Sequence, residues 1–340
     1  MRQPIIAMTT ATGMGPLPCI LERRVGTRAV DQTFKAAGLP LDLLENRNQK
    51  IPMAAMISLF REAEKVAGDE ILGLRVGREM KPGAYGLWTK YSGQGRTARD
   101  ALTRLSQTIG VHQSGGQMRL RQSDKQFEWS YIVPSSFKAN IRAHAEHVIP
   151  VMIGFLRPYF GPSWLPDRIG VPYPNDGLSA RRSDLLPVDW CYLTDAVTLS
   201  FPAEMLKSTL SSTVHKTVYT QVELYAERAL RETQSLDNVV REIVALRLMD
   251  GNIDIDGAAR LVGQSLRTFQ RNLDREGSSY TELLTQVRKQ RATALLLESD
   301  LSIMDIGFQI GFSDPANFTR AFRSWTGANP SQIRKNSGNS

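Results

Sequence analysis

The chain has 340 residues, 41% of them hydrophobic and 22% charged, the composition of a globular protein with proper cores and a length suited to about two domains. Its two cysteines, Cys19 and Cys191, form no CxxC or other ligand spacing. That argues against a disulfide framework or a cysteine zinc site, and fits a reducing cytoplasm. The formal charge of +8 permits a polyanionic partner, but from Lys216 onward 16 basic residues face 15 acidic ones, so local pattern must place any nucleic-acid surface.

Residues 1–20 lack a sustained apolar segment and read as a flexible tail, not a signal peptide. Val30 to Leu44 has helical spacing. Met53 to Ala67 is a clearer helix, with Pro52 near its start and Met56, Leu59, Phe60 and Ala63 on one side. Thr97, with Asp100 three residues on, caps another helix carrying Leu102, Leu105 and Ile109. Met118 to Leu120 and Phe127 to Val133 read as strands, Phe137 to Phe160 as helix, and Arg168 to Tyr173 and Ala196 to Phe201 as further strands. The longest apolar run, Val148 to Leu156, is far short of the ~20 residues of a membrane span, so no membrane partner is expected. A mixed α/β (α+β) domain over residues 21–210, a linker over 211–234 and an all-α domain over 235–335 follow from this pattern.

The helical region contains a repeat. Near the C-terminus, Ser302 caps a helix whose Ile303, Ile306 and Ile310 share a face. Gly311 ends it in a left-handed turn, and Asp314-Pro315 opens a second helix. On that helix Phe318, Ala321, Phe322 and Trp325 face inward, while Ala316, Thr319, Arg320 and Arg323 face outward with Asn317 at the edge. Gly307 lets the two helices cross closely. About fifty residues upstream, Ala258 to Gly277 repeats the plan: Gly263 matches Gly311, Ala259 matches Gly307, and FQRNL matches FTRAF. There Leu266, Phe269 and Leu273 face inward, and Arg267, Thr268 and Arg271 outward, flanked by Gln270. Between the copies, Ser279 to Ser299 is an unbroken helical pattern of about 20 residues, or ~30 Å. That length suits two helices entering successive major grooves ~34 Å apart. Two helix-turn-helix units on one chain are therefore expected.

From about Leu236 to Lys335 the chain resembles the DNA-binding domain of the AraC/XylS family of bacterial transcriptional regulators, most specifically through I-x-x-I-G-F-x-x-G-F-S-D-P-x-N-F-x-R-A-F-x-x-W-T-G-x-x-P. Gly307 stands where that family more often has alanine, and Asn329 where threonine is common. The N-terminal region is similar to the subgroup with an arabinose-binding-like sensor, through Gly68 to Gly77, Lys81 to Trp88 and Phe160 to Pro166; Leu186 replaces a usual cysteine. The resemblance implies a cytoplasmic, non-enzymatic regulator that activates transcription in response to a small-molecule effector. Its partners would be double-stranded operator DNA, the effector, RNA polymerase and a second copy of the chain, with no cofactor. Arg267, Thr268, Gln270, Arg271, Ala316, Asn317, Thr319 and Arg320 are the candidate DNA-contacting residues.

Rival readings are a DNA-acting alkyl-transfer repair enzyme, a ligand-independent regulator, and an interaction module for an acidic protein. The first needs an activated cysteine, and Cys19 and Cys191 are isolated. His144 and His147 have i, i+3 spacing that a metal could use, but no third ligand is placed, and a structural role is expected. Ser92 to Thr97 faintly resembles a phosphate loop without its Lys-Ser/Thr, and reads as a loop and helix start. Phe155, Tyr159, Phe160 and Trp164 read as core packing, with a pocket wall as the alternative.

Overall fold

The computed structural model describes residues 6–81, 83–210, 217–229 and 235–337. The chain divides into two compact units, one formed by Met1–Ala37 and Leu43–Glu232 and the other by Gly38–Asp42 and Thr233–Ser340. The first is mixed α/β and the second is helical among its described residues.

The first unit opens with β1 (Met8–Thr10), α1 (Leu17–Val25), α2 (Thr27–Ala37), β2 (Lys50–Pro52), α3 (Met53–Ala67) and α4 (Leu72–Glu79). Residues 6–20 correct the expectation of a flexible tail. Met8–Thr10 pairs antiparallel with Lys50–Pro52, and Met14, Leu17 and Leu21 are fully buried. The strand depends on a partner some forty residues away, which periodicity cannot show, while α1 packs against α2 and α3. The Val30 to Leu44 helix is also shorter than expected: α2 ends before Gly38, whose φ of +72° suits glycine, and Leu41–Leu44 is a separate 3₁₀ turn.

Next come α5 (Leu87–Ser92), α6 (Ala98–His112), β3 (Gln117–Gln122), β4 (Gln126–Ile132), α7 (Arg142–Phe160), β5 (Arg168–Gly170), α8 (Ser179–Leu185), β6 (Asp189–Cys191), β7 (Val197–Pro202) and α9 (Gln221–Ala229). The Thr97–Asp100 capping box starts α6. Ser135–Asn140 is a 3₁₀ turn before α7, where a continuous helix was expected. Five strands form one sheet in the order β3-β4-β7-β5-β6, antiparallel except for β5 and β6. Alternation puts Phe127, Trp129 and Tyr131 of β4, and Val197, Leu199 and Phe201 of β7, on the buried face. They share a core with Leu102 and Leu105 of α6 and Ile149 and Ile153 of α7.

The glycines of the Gly68 to Gly77 motif have a packing reason. A β-carbon on Gly73 or Gly77 would collide with the α7 carbonyl oxygens of Ala143 and His147, so only glycine lets α4 lie against α7 at this distance. Part of the expected linker also belongs to this unit: α9 packs on α5 and α6, and its Leu224 is fully buried. Residues 211–216 and 230–234 of that linker lie outside the described residues.

The second unit contains α10 (Leu236–Leu248), α11 (Ile255–Leu261), α12 (Leu266–Arg275), α13 (Tyr280–Glu298), α14 (Ile303–Gln309), α15 (Pro315–Thr326) and α16 (Pro330–Ser337). Ser235, Asp254, Ser265, Ser279, Ser302 and Asp314 each accept a backbone N–H of the first helical turn, starting six of these helices. Ala292 and Leu296 of α13, Ile306 and Ile310 of the second motif's entry, and Phe318 and Phe322 of α15 form one core.

Candidate nucleic-acid interface and sensor cavity

The pairs α11–α12 and α14–α15 are two helix-turn-helix units built by the same backbone bonds. In the first turn, Gly263 N donates to Arg260 O and Gln264 N to Ala259 O. In the second, Gly311 N donates to Phe308 O and Phe312 N to Gly307 O. Both are Schellman turns, with Gly263 and Gly311 left-handed at φ +72° and +78°. The matched Ala259 and Gly307 are both buried where the helices cross. At Gly307 an added β-carbon would stand 3.2 Å from Phe318 Cδ1, the close crossing the motif implies.

Burial of Phe269 and Leu273 turns Arg267, Gln270 and Arg271 of α12 to solvent. Neither arginine pairs with a carboxylate among the described residues. Thr268 is half-buried and committed to the cap: its amide donates to Ser265 Oγ at 3.2 Å and its hydroxyl accepts from the same Oγ at 2.9 Å. On α15, Phe318 and Phe322 are fully buried while Ala316, Asn317 and Arg320 are exposed. Arg320 Nη2 donates to Asn317 Oδ1 at 2.5 Å, which aligns the two side chains on one face. Half-buried Thr319 donates to Pro315 O at 3.0 Å. Six of the eight candidates thus stand exposed, Ala316 as the small one among them, and the two threonines bond to residues at the starts of their own helices.

Sequence reasoning missed the residues that hold these units in place. Arg288 of α13 donates from Nε to Ile310 O and from Nη2 to Gly311 O, both at 2.9 Å, and its guanidinium lies 4.5 Å from the Phe312 ring centre. It closes carbonyls at the end of α14, and its partial burial lowers its pKa through desolvation. Arg247 of α10 holds Asp254 Oδ2 at 2.5 Å, while Asp254 Oδ1 caps α11 through Gly257 N at 2.6 Å. Asp254 is held below the usual carboxylate range, chiefly by that amide. The cap was legible, since Asp254 occupies the position of Ser302 in the twin copy; the arginine clamps leave no periodic signature.

The first unit holds a half-open cavity of about 550 Å³ between α5, α7 and the sheet. The expected aromatic cluster divides here. Phe155 and Tyr159 line the cavity, whereas Phe160 and Trp164 stack edge-on against Phe201 in the core. The Ser92 to Thr97 segment is structural: Tyr159 Oη donates to the carbonyls of Gly93 and Gly95. His144 and His147 are buried, their ring centres 5.6 Å apart, with Tyr131 Oη and Tyr85 Oη beside their Nε2 atoms. Burial pushes His144 down to about 4 and His147 well below its ordinary value, so both rings are neutral at pH 7. Glu146 turns instead to Arg182 Nη2, at 2.8 Å, and to Tyr173 Oη. Among the described residues no group of three His, Cys, Asp or Glu side chains could hold a metal, and no helix is long and apolar enough to cross a membrane.

A mixed α/β domain with a half-open cavity, joined to two helix-turn-helix units with basic outer faces, defines a ligand-sensing, DNA-binding regulator. The chain belongs to the AraC family of transcription regulators: residues 28–210 match the family described as the arabinose-binding domain of AraC transcription regulator, N-terminal, and residues 258–336 match a helix-turn-helix domain. It is 25% identical over 308 residues to the Ornithine utilization regulator of Pseudomonas aeruginosa, covering 89% of each chain. It is 36% identical over 106 residues to Transcriptional activator NphR of a Rhodococcus species, a match covering 31% of each. The crystal structure of the transcriptional regulator CdpR from Pseudomonas aeruginosa aligns with a TM-score of 0.40 at 21% identity, over 91% of this chain and 97% of that one. The chain is thus a DNA-binding transcription regulator, and nothing in its relatives supports the repair-enzyme reading.

Proposed function

We propose that this regulator reads operator DNA with two recognition helices, α12 and α15, and activates transcription when a small molecule occupies the sensor cavity. The observation that carries the reading is the pair of matching turns, each leaving arginine with no carboxylate partner among the described residues on the exposed face of its second helix. Arg267, Gln270 and Arg271 would contact one major-groove segment, and Asn317 and Arg320 the next, with Ala316 allowing close approach. Arginine suits both guanine edges and phosphates. Thr268 and Thr319 act through the helix starts, where their methyl groups can still meet a thymine methyl. The 19 residues of α13 rise about 28 Å, near the ~34 Å between successive grooves.

Action on promoters places the protein in the cytoplasm with RNA polymerase as its downstream partner, and a homodimer through the sensor unit would double the site. The name of the ornithine utilization regulator suggests a diamino acid such as ornithine as effector, but among the described residues no carboxylate lines this cavity to receive a second ammonium group. Genome-wide occupancy with and without metabolites, followed by footprinting, tests the reading. Two protected segments about one helical turn apart are expected. A footprint confined to one groove would overturn the two-helix arrangement, and occupancy indifferent to every metabolite would favour ligand-independent regulation.

A further inference from the structure

Apart from two lysines and the hydroxyls of Thr217 and Tyr219, the side-chain polar groups in the walls of the sensor cavity are already committed to the protein. Trp88 Nε1 donates to Leu105 O at 3.2 Å, Trp129 Nε1 to Met118 Sδ at 2.9 Å, and Tyr159 Oη to Gly93 O and Gly95 O at 2.9 and 2.8 Å. Thr89 donates to Gly86 O. Gln94 spends both ends of its amide, donating to Thr217 O at 3.0 Å and accepting from Tyr219 N at 3.1 Å. Among the described residues these walls therefore offer mainly π-faces and aliphatic surface, with two hydroxyls where a polyol requires a larger array of hydrogen-bonding groups.

The charges at the cavity are all of one sign. Lys81 and Lys90 border it, no Asp, Glu or Arg among the described residues does, and neither lysine pairs with a carboxylate among the described residues. Lys90 Nζ instead stands 6.0 Å from the centre of the Tyr219 ring.

The cavity is also held open at a cost. Gly154 lies in the middle of α7, where glycine weakens a helix relative to alanine. A β-carbon there would meet nothing within 4 Å, so no neighbouring backbone demands the glycine. Gly73 and Gly77 are required by the α4–α7 contact. Gly154 simply leaves space on the cavity side.

We propose that the ligand of this cavity is a compact apolar monoanion, an aryl- or alkyl-carboxylate, with its body between Trp88, Trp129 and Phe155 and its carboxylate at Lys81 and Lys90. The volume of about 550 Å³ falls within the ~300–1,000 Å³ usual for small-molecule sites. Thr217 and Tyr219 form part of the wall just ahead of α9, so the anion end of the ligand meets the chain segment that leads out of the sensor unit. This rests on the reading of the first unit as a small-molecule sensor, and specifies the chemistry it senses.

The test uses the full-length protein, with calorimetry and melting temperature as readouts. The probes are 4-phenylbutyrate, octanoate, the primary amide of each, L-arabinose and L-lysine. The acids should bind and raise the melting temperature, at least about tenfold tighter than their amides, because a charge-assisted contact is lost in the amide. Arabinose and lysine should not bind. Exchanging both lysines (Lys81→Gln with Lys90→Gln) should weaken the acids about tenfold and leave the amides unchanged. Gly154→Leu should fold at least as stably as the parent, since it improves helix propensity, and should abolish acid binding by filling the space. Amides that bind as tightly as acids, acids unaffected by the double lysine exchange, or a preference for arabinose would overturn the proposal while leaving a sensor of some neutral ligand. Absence of acid binding would overturn it as well. If Gly154→Leu then also left genome-wide occupancy unchanged under every condition, the sensor reading would fall with it.

Discussion

Arg288 is a basic residue of the DNA-binding unit that should matter without touching DNA. Replacing it with alanine removes two charge-assisted hydrogen bonds, each 2.9 Å, to Ile310 O and Gly311 O, and a cation–π contact with Phe312. Each such bond is worth about 1.5–3 kcal/mol and the ring contact about 0.5–1 kcal/mol. The site is only half-buried, so water can reach the freed carbonyls, and desolvation of the guanidinium already offsets part of the gain. A net loss of about 2–3 kcal/mol follows. Arg288→Lys should lose about half of that, because an ammonium can serve one carbonyl and cannot lie flat on the ring. Amide hydrogen exchange of the full-length protein reads this directly. Protection across Ile303–Thr326 should fall about 30- to 150-fold in Arg288→Ala, with Met53–Ala67 unchanged. Less than about a threefold change would refute the clamp. Lost DNA affinity with protection intact would make Arg288 a DNA contact instead.

Arg271→Ala and Arg320→Ala should each leave folding within about 0.5 kcal/mol and lower DNA affinity by about 1–3 kcal/mol, at different half-sites one helical turn apart; footprints weakened at the same base pairs by both would contradict two reading helices. Gly311→Ala should destabilise more than Gly277→Ala. Both glycines are left-handed, at a cost of about 1–2 kcal/mol for a β-carbon, but only at Gly311 does that carbon press on Ile253 Cγ2 at 3.1 Å and Arg288 Nη2 at 3.3 Å. Equal losses by denaturant titration would show that strain alone governs the turn. Glu64 of α3, facing Arg142, Glu146 and Asp69, is pushed up to about 8, chiefly by burial. The unfolded chain releases this proton near 4.5, so the stability it contributes is whole below that pH and drains as pH rises toward 8. The melting temperature of the first unit should therefore fall over that window, and Glu64→Gln should flatten the fall; superimposable profiles for parent and variant would refute the assignment.

The two helix-turn-helix units were legible residue by residue because their determinants are local. Ser302, Asp314 and Gly311 act on backbone groups two to five positions away, and Phe318 and Phe322 share a face by helical period alone. The internal repeat then turned a common hairpin pattern into a reading of function. The sensor unit was legible only in outline. Four strands of the larger sheet and the longer helices showed their periods, but β6 was not anticipated, the strand at Met8–Thr10 exists through pairing with Lys50–Pro52, and α9 joins this unit through the burial of Leu224. Neither leaves a trace in its own neighbourhood. The same holds for chemistry. Trp88, Trp129 and Tyr159 look like ordinary core aromatics in the sequence, and only tertiary structure turns them around a common space, spends their polar atoms inward and leaves Lys81 and Lys90 beside it. A cavity is a property of side chains far apart in the chain that fail to fill a volume, and no window of sequence records what is absent between them.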